Sequence, residues 1–141
     1  MTSVNVLRKA TPLLAVDRIE PVIGFWKKLG FSAVTEVPDG TAKDGRLAFA
    51  ILAGGGVELM YQTRASITED LVKSASVKEA FRPGLQQTML YVEVPSLAEV
   101  ESKLAGEQLV MPRRTTFYGS TEAGYTDPAG NIVIFSEHTG S

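Results

Sequence analysis

Two stretches of this chain repeat one hydrophobic pattern. Laying Thr11 over Met89, a shift of 89 − 11 = 78, sets Leu14 on Val92, Val16 on Val94, Ile19 on Leu97 and Val22 on Val100. The agreement runs through a strand, a turn and a helix. A second shift, 134 − 58 = 76, lays Gly54 on Gly130 and Glu58 on Ile134 in two closing hairpins. The chain therefore reads as two tandem βαβββ units, and a unit of this size can scarcely bury both faces of its own sheet. Each unit needs a neighbour.

Local signals place the elements of each unit. Thr11 to Val16 is a short apolar strand, with Pro12 near its start because proline lacks a ladder donor. Ile19, Val22, Ile23 and Trp26 follow the i, i+3, i+4, i+7 spacing of an amphipathic helix, with Pro21 in the first turn and Gly30 just past the end. Trp26 lies on that apolar stripe, which makes it a core residue before it is a stacking platform. Strands are expected over Phe31 to Val37, Leu47 to Leu52 and Val57 to Tyr61. Gly54-Gly55-Gly56 joins the last two. No Lys-Ser/Thr or helix start follows these glycines, so they read as a hairpin turn and not as a phosphate cradle.

Ser66-Ile67-Thr68-Glu69 has the form of a capping box and predicts a helix running towards Phe81, within a connector over 65–85. The second unit, about 86–138 against about 5–64 for the first, opens on the strand Met89 to Val94. Ser96-Leu97-Ala98-Glu99 is a further capping box, with Leu97, Val100 and Leu104 on one helix side and Gly106 after it. Leu109 to Phe117 and the strands on either side of Asp127-Pro128-Ala129-Gly130-Asn131 complete the order. That turn has Asp to bond the backbone ahead, Pro to fix φ, and Gly and Asn to tolerate positive φ.

Composition narrows the function. With 44% hydrophobic and 21% charged residues and a net charge of −2, the 141 residues suit one ordinary globular domain and give no electrostatic reason to expect nucleic acid. Cysteine is absent, which removes disulfides, thiolate metal sites and a cysteine nucleophile together. No apolar run approaches ~20 residues and the amino terminus lacks a basic-then-apolar signal. No membrane partner is expected, and the expected location is cytoplasmic.

Thr11-Pro12-Leu13-Leu14-Ala15-Val16, Phe25-Trp26-Lys27-Lys28-Leu29-Gly30-Phe31 and Tyr125-Thr126-Asp127-Pro128-Ala129-Gly130-Asn131, set on the repeat, resemble the vicinal oxygen chelate superfamily. That superfamily contains glyoxalase I, extradiol dioxygenases, fosfomycin-modifying enzymes and bleomycin-resistance proteins. The resemblance implies an α+β fold whose sheets curl around a central cleft, with units paired within a chain or between the chains of a homodimer. Its metal-dependent members hold a divalent ion at places that fall here on Thr11, Glu58, Met89 and Ile134. Only Glu58 is a credible ligand, since threonine is a poor one, a thioether suits soft ions and isoleucine cannot bind. No metal or other cofactor is expected.

With Glu58 facing the cleft as the resemblance implies, strand alternation sends Met60 and Gln62 the same way, together with Thr11, Leu13 and Ala15, Met89, Tyr91 and Glu93, and Ile132, Ile134 and Ser136. The opposite faces are almost wholly apolar, which supports this register. Of Arg113 and Arg114, adjacent on a strand, at most one enters the cleft; Arg114 is taken as the candidate. Phe117 and Tyr118, beside a glycine loop, could stack on a planar ligand or pack on a neighbouring subunit. Glu58 could act as a general acid or base or bind a ligand cation; equally, it could pair with Arg113 or Arg114 or stand solvated. His138, the only histidine, lies near the carboxyl end, where a surface role competes with a catalytic one.

The function that follows is metal-independent binding of a small organic ligand in a dimeric cleft, similar to bleomycin-resistance proteins. The alternative is a glyoxalase-like lyase or isomerase, or a dioxygenase-type enzyme, using Glu58. A dimeric scaffold for a protein partner is a third possibility.

Overall fold

The computed structural model describes residues 9–71 and 88–138. Its first unit is β1 (Leu13–Val16), α1 (Glu20–Lys27), β2 (Ser32–Pro38), β3 (Leu47–Gly54) and β4 (Val57–Thr63), followed by α2 (Arg64–Leu71). The second is β5 (Met89–Glu93), α3 (Leu97–Lys103), β6 (Gln108–Thr115), β7 (Ser120–Thr126) and β8 (Ile132–His138). Each unit folds into a four-stranded sheet, ordered β1-β4-β3-β2 in one and β5-β8-β7-β6 in the other. In both, the first and last strands run parallel and the remaining pairs are antiparallel. The tandem βαβββ architecture is thus present as expected.

Sequence chemistry accounts for most boundaries. Pro12 stands just outside β1, where its carbonyl still accepts from the Met60 amide at 2.9 Å. Pro21 occupies the first turn of α1, where a missing N–H costs nothing. Gly55 and Gly56, at φ 56° and 81°, close the β3–β4 hairpin in the left-handed region that such a two-residue turn requires. Asp127 Oδ1 accepts from the amides of Ala129 and Asn131, both at 2.9 Å, and Gly130 alone in that turn takes positive φ. Asn131 instead turns its Oδ1 to the Thr88 amide at 3.0 Å, tying the turn to the start of β5.

The start of α2 differs from expectation. α2 begins at Arg64, and the Ser66 amide donates to Thr63 Oγ1 at 3.1 Å, so Thr63 caps the helix and Ser66 lies inside it. The Ser66 hydroxyl accepts from Gln62 Nε2 instead. The apparent box was displaced by three residues because β4 runs directly into the helix, leaving no loop to mark the change. The predicted extension towards Phe81 falls outside the described residues. Ser96, by contrast, caps α3 as its pattern predicts, accepting from the Glu99 amide at 3.2 Å.

Both units bury their helix-bearing sides in one core. Leu14, Val16, Leu59 and Tyr61 from the first sheet join Val133, Phe135, Ala123 and Tyr125 from the second, with Trp26 from α1 and Leu104 just after α3. Trp26 lies within a 6.4 Å centroid separation of Phe135 across the units and donates its indole N–H to the buried Tyr61 hydroxyl at 2.9 Å. Lys28, after α1, pairs with Glu107, after α3. Because the two helices and the two helix-side faces share this interior, the other face of each sheet points away from it, towards solvent. Among the described residues no helix is long and apolar enough to cross a membrane.

Candidate functional site

The open face of the first sheet is sparse in polar groups. Leu13 is exposed, and Ala15, Met60, Gln62, Ile51 and Phe49 are half-buried around it. Thr11 lies just before β1 and is also half-buried. Glu58 neither pairs with Arg113 or Arg114 nor stands alone: its Oε1 accepts from Lys9 Nζ at 2.8 Å. The arginines belong to the other unit, whose strands face away, whereas Lys9 precedes β1 beside β4.

The second sheet builds something different. Tyr91 on β5, Arg114 on β6, Glu122 on β7 and Ser136 on β8 lie on one face, because Arg114 stands opposite Glu122 and Glu122 opposite Ser136 in the ladder. The Glu122 carboxylate is only 1% exposed. Its Oε2 accepts from Tyr91 and Tyr118 hydroxyls, each at 2.8 Å, and its Oε1 accepts from Arg114 Nη2 at 3.2 Å. Ser136 Oγ lies 2.7 Å from the Tyr91 oxygen and in close contact with Ser120 Oγ. Each hydroxyl has one proton to give: with Tyr91 and Ser120 both donating to Glu122, Ser136 donates to Ser120 or to the Tyr91 oxygen, and Tyr118 and Arg114 close on the same carboxylate.

Electrostatics follow from that arrangement. Burial alone would push the Glu122 carboxyl up, but the hydrogen bonds from Tyr118, Tyr91, Arg114 and Ser120 outweigh it and hold the group below the ordinary carboxylate value. The same hydrogen bond to Glu122 pushes the Tyr118 phenol up. Elsewhere, burial raises Asp127 despite the turn amides that donate to it.

Around this polar knot the face is apolar and open. Met89 is 61% exposed and Tyr91 49%, while Phe117 in the β6–β7 turn is fully exposed and stacks edge-on against Tyr118 at 5.1 Å. The expected end of β6 at Phe117 is therefore corrected to Thr115. Ile134 is half-buried on this face, and Glu93 bonds His138 Nε2 at 2.9 Å at its margin. Arg113 turns the other way, to Glu101 of α3, as alternation requires.

The candidate residues thus form two groups. Thr11, Leu13, Glu58, Met60 and Gln62 belong to one open face or its edge, and Met89, Tyr91, Glu93, Arg114, Tyr118 and Ile134 to the other. Glu122, Ser120 and Ser136 join the second group; Glu122 was not a sequence candidate at all. Its signal was the polar alternation Tyr118, Ser120, Glu122, legible only once β7 is recognised as a strand with an open side.

The residues do not fit the metal centre that the fold suggests. In the ladder Leu13 pairs with Met60 and its repeat partner Tyr91, at 13 + 78 = 91, pairs with Ile134. The place matching Ile134 is therefore Met60, at 134 − 60 = 74, and the hairpin shift of 76 that equated Glu58 with Ile134 is out of register by two residues. The cause is the choice of glycine: at the ladder's shift of 74, Gly130 at φ 89° falls on Gly56 at φ 81°, both in the turn, and not on Gly54, which lies in β3. The first alignment offers one carboxylate, already bound by Lys9, beside aliphatic and thioether groups; with Met60 in place of Glu58 the four places hold none. Among the described residues no three His, Asp or Glu side chains converge.

No family model matches the chain, and no curated protein matches it. Solved structures do. A bleomycin resistance determinant encoded on transposon Tn5 is 18% identical, with a TM-score of 0.64 over 94% of this chain and 99% of its own. A bleomycin-binding protein complexed with bleomycin is 17% identical, with a TM-score of 0.61 over 93% and 98%. Virulence protein STM3117 from Salmonella typhimurium is 24% identical, with a TM-score of 0.65 over 96% and 100%.

Proposed function

This chain has the glyoxalase/bleomycin-resistance fold, and we propose that it uses the fold to bind a small organic molecule against the open face of its second sheet, in a cleft completed by a second copy of the chain. The observation that carries this is the concentration of exposed Met89, Tyr91, Phe117 and Tyr118 around a polar cluster whose members are already hydrogen-bonded to one another. Exposed aromatic area on a rigid polar floor is what an organic ligand needs, and a domain with no use for it would not hold it in water. The direction of the two open faces supports the second copy. The two open faces of one chain point away from each other, so a cleft walled by both requires another chain.

An enzymatic role for Glu58 has less behind it. That carboxylate is engaged by Lys9, and no second acid or base stands with it among the described residues that share its face.

The test joins sedimentation with ligand screening. We expect a dimer at micromolar concentration, and aromatic compounds that shift the amide resonances of residues 89–93 and 114–122. Met89→Arg, which puts a charge on the exposed face without touching the core, should weaken both. A monomer whose resonances respond to no compound would end this proposal.

A further inference from the structure

Resting on that binding reading, we propose the class of ligand: a planar aromatic acid, its ring against Tyr118 and Phe117 and its carboxylate, or a comparable oxyanion, on Arg114. The argument is a count of unused donors and acceptors. Glu122 is covered, and its oxygens accept from Tyr91, Tyr118, Ser120 and Arg114. It has no room for a ligand cation. The exposed carboxylate at the margin, Glu93, is held by His138.

Arg114 is in the opposite condition. Its side chain is 56% exposed and gives only one Nη2 bond to Glu122, so most of its guanidinium N–H groups face solvent. The cross-strand pairing of Arg114 with Glu122 holds one edge of the guanidinium in place and leaves the rest of the fork presented. A fork fixed in this way matches a carboxylate by paired hydrogen bonds. The aromatic pair beside it fixes the other half of the ligand, since Tyr118 shares the Glu122 carboxylate with Arg114 and carries Phe117 edge-on. A cation at the same place would meet the guanidinium and an occupied carboxylate.

The experiment compares 2-naphthoate, 2-naphthamide and 2-naphthamidine, one ring with three charges, titrated into the full-length protein by calorimetry and by amide chemical shift. We expect naphthoate to bind at least about tenfold more tightly than the amide and the amidine to bind weakest. Arg114→Gln should erase the preference for naphthoate while leaving the weaker ring binding. Tyr118→Ala should weaken all three compounds, and Arg113→Gln should leave the wild-type ranking intact. Native-like spectra of each variant establish that it is folded. If the amide or amidine equals or exceeds naphthoate, or if Arg114→Gln leaves naphthoate affinity unchanged, the acid class is wrong and the general binding site survives. If none of the three shifts residues 114–122, both proposals fall.

Discussion

The two open faces occupy corresponding places in a repeated unit, yet they solve the problem of a carboxylate on a solvent-facing sheet in opposite ways. On the first sheet Glu58 lies among aliphatic neighbours with a single ammonium partner, itself exposed. On the second, Glu122 is enclosed by two phenols, a guanidinium and a serine hydroxyl, part of a chain of hydroxyls that ends on its oxygens. An exposed ion pair is screened and contributes little. A carboxylate satisfied on both oxygens is part of the framework, because removing it strands every donor aimed at it. The repeat therefore conserves backbone geometry while letting one face become fixed and the other remain adaptable.

The largest effect expected of this contrast is on stability. Glu122→Leu should cost about 2–4 kcal/mol, since Tyr91, Tyr118, Ser120 and Arg114 lose their common acceptor; urea titration followed by circular dichroism measures it. A loss below about 0.5 kcal/mol would show that the cluster is not a framework. Tyr91→Phe should cost about 1 kcal/mol, one hydrogen-bonded link, with the ring retained. An effect as large as that of Glu122→Leu would mean that Tyr91 alone holds the cluster.

The pH dependence sharpens the comparison next. Because Glu122 lies below its ordinary value of 4.5 in the folded state, the stability it contributes is present above that value and is lost as pH falls through the folded one. The gap between wild type and Glu122→Gln should therefore begin to shrink below about pH 5 and go on shrinking as pH falls through the folded value, read as melting temperature. Asp127, raised by burial, works in the opposite sense, but it is common to both proteins and cancels from their difference. A constant gap would remove the charge of Glu122 from the account. The smallest effect is expected at Glu58→Gln, within about 0.5 kcal/mol of wild type. A loss comparable to that at Glu122 would erase the distinction between the faces.

Much of the site was written locally. Alternation along β4, β5 and β8 sorted core from open face, so that Leu59, Tyr61, Val133 and Phe135 went inward and Met89, Tyr91 and Ile134 outward. Arg113 and Arg114 divided as adjacent strand residues must. Glu122 escaped because its importance lies in its partners, and those come from a loop, two other strands and its own strand. Arg114 meets it only through a β6–β7 ladder with two register irregularities, which no spacing in the chain announces. The partner of Glu58 was misjudged for a related reason: Arg113 and Arg114 are the conspicuous cations, but Lys9 is the one the fold brings near.

The sequence by itself determined the repeat, the order of strands and helices, the capping and turn chemistry of α3 and of Asp127, and the face of each residue within its own strand. These depend on periodicity and on contacts a few residues apart. Only the tertiary structure decided that the two sheets share one core through their helix sides, that their open faces point apart, and that Met60 and not Glu58 matches Ile134. Such facts are set by strand register and by packing between distant segments, where a two-residue shift in pairing keeps every side chain on its own face and so leaves no mark on local pattern.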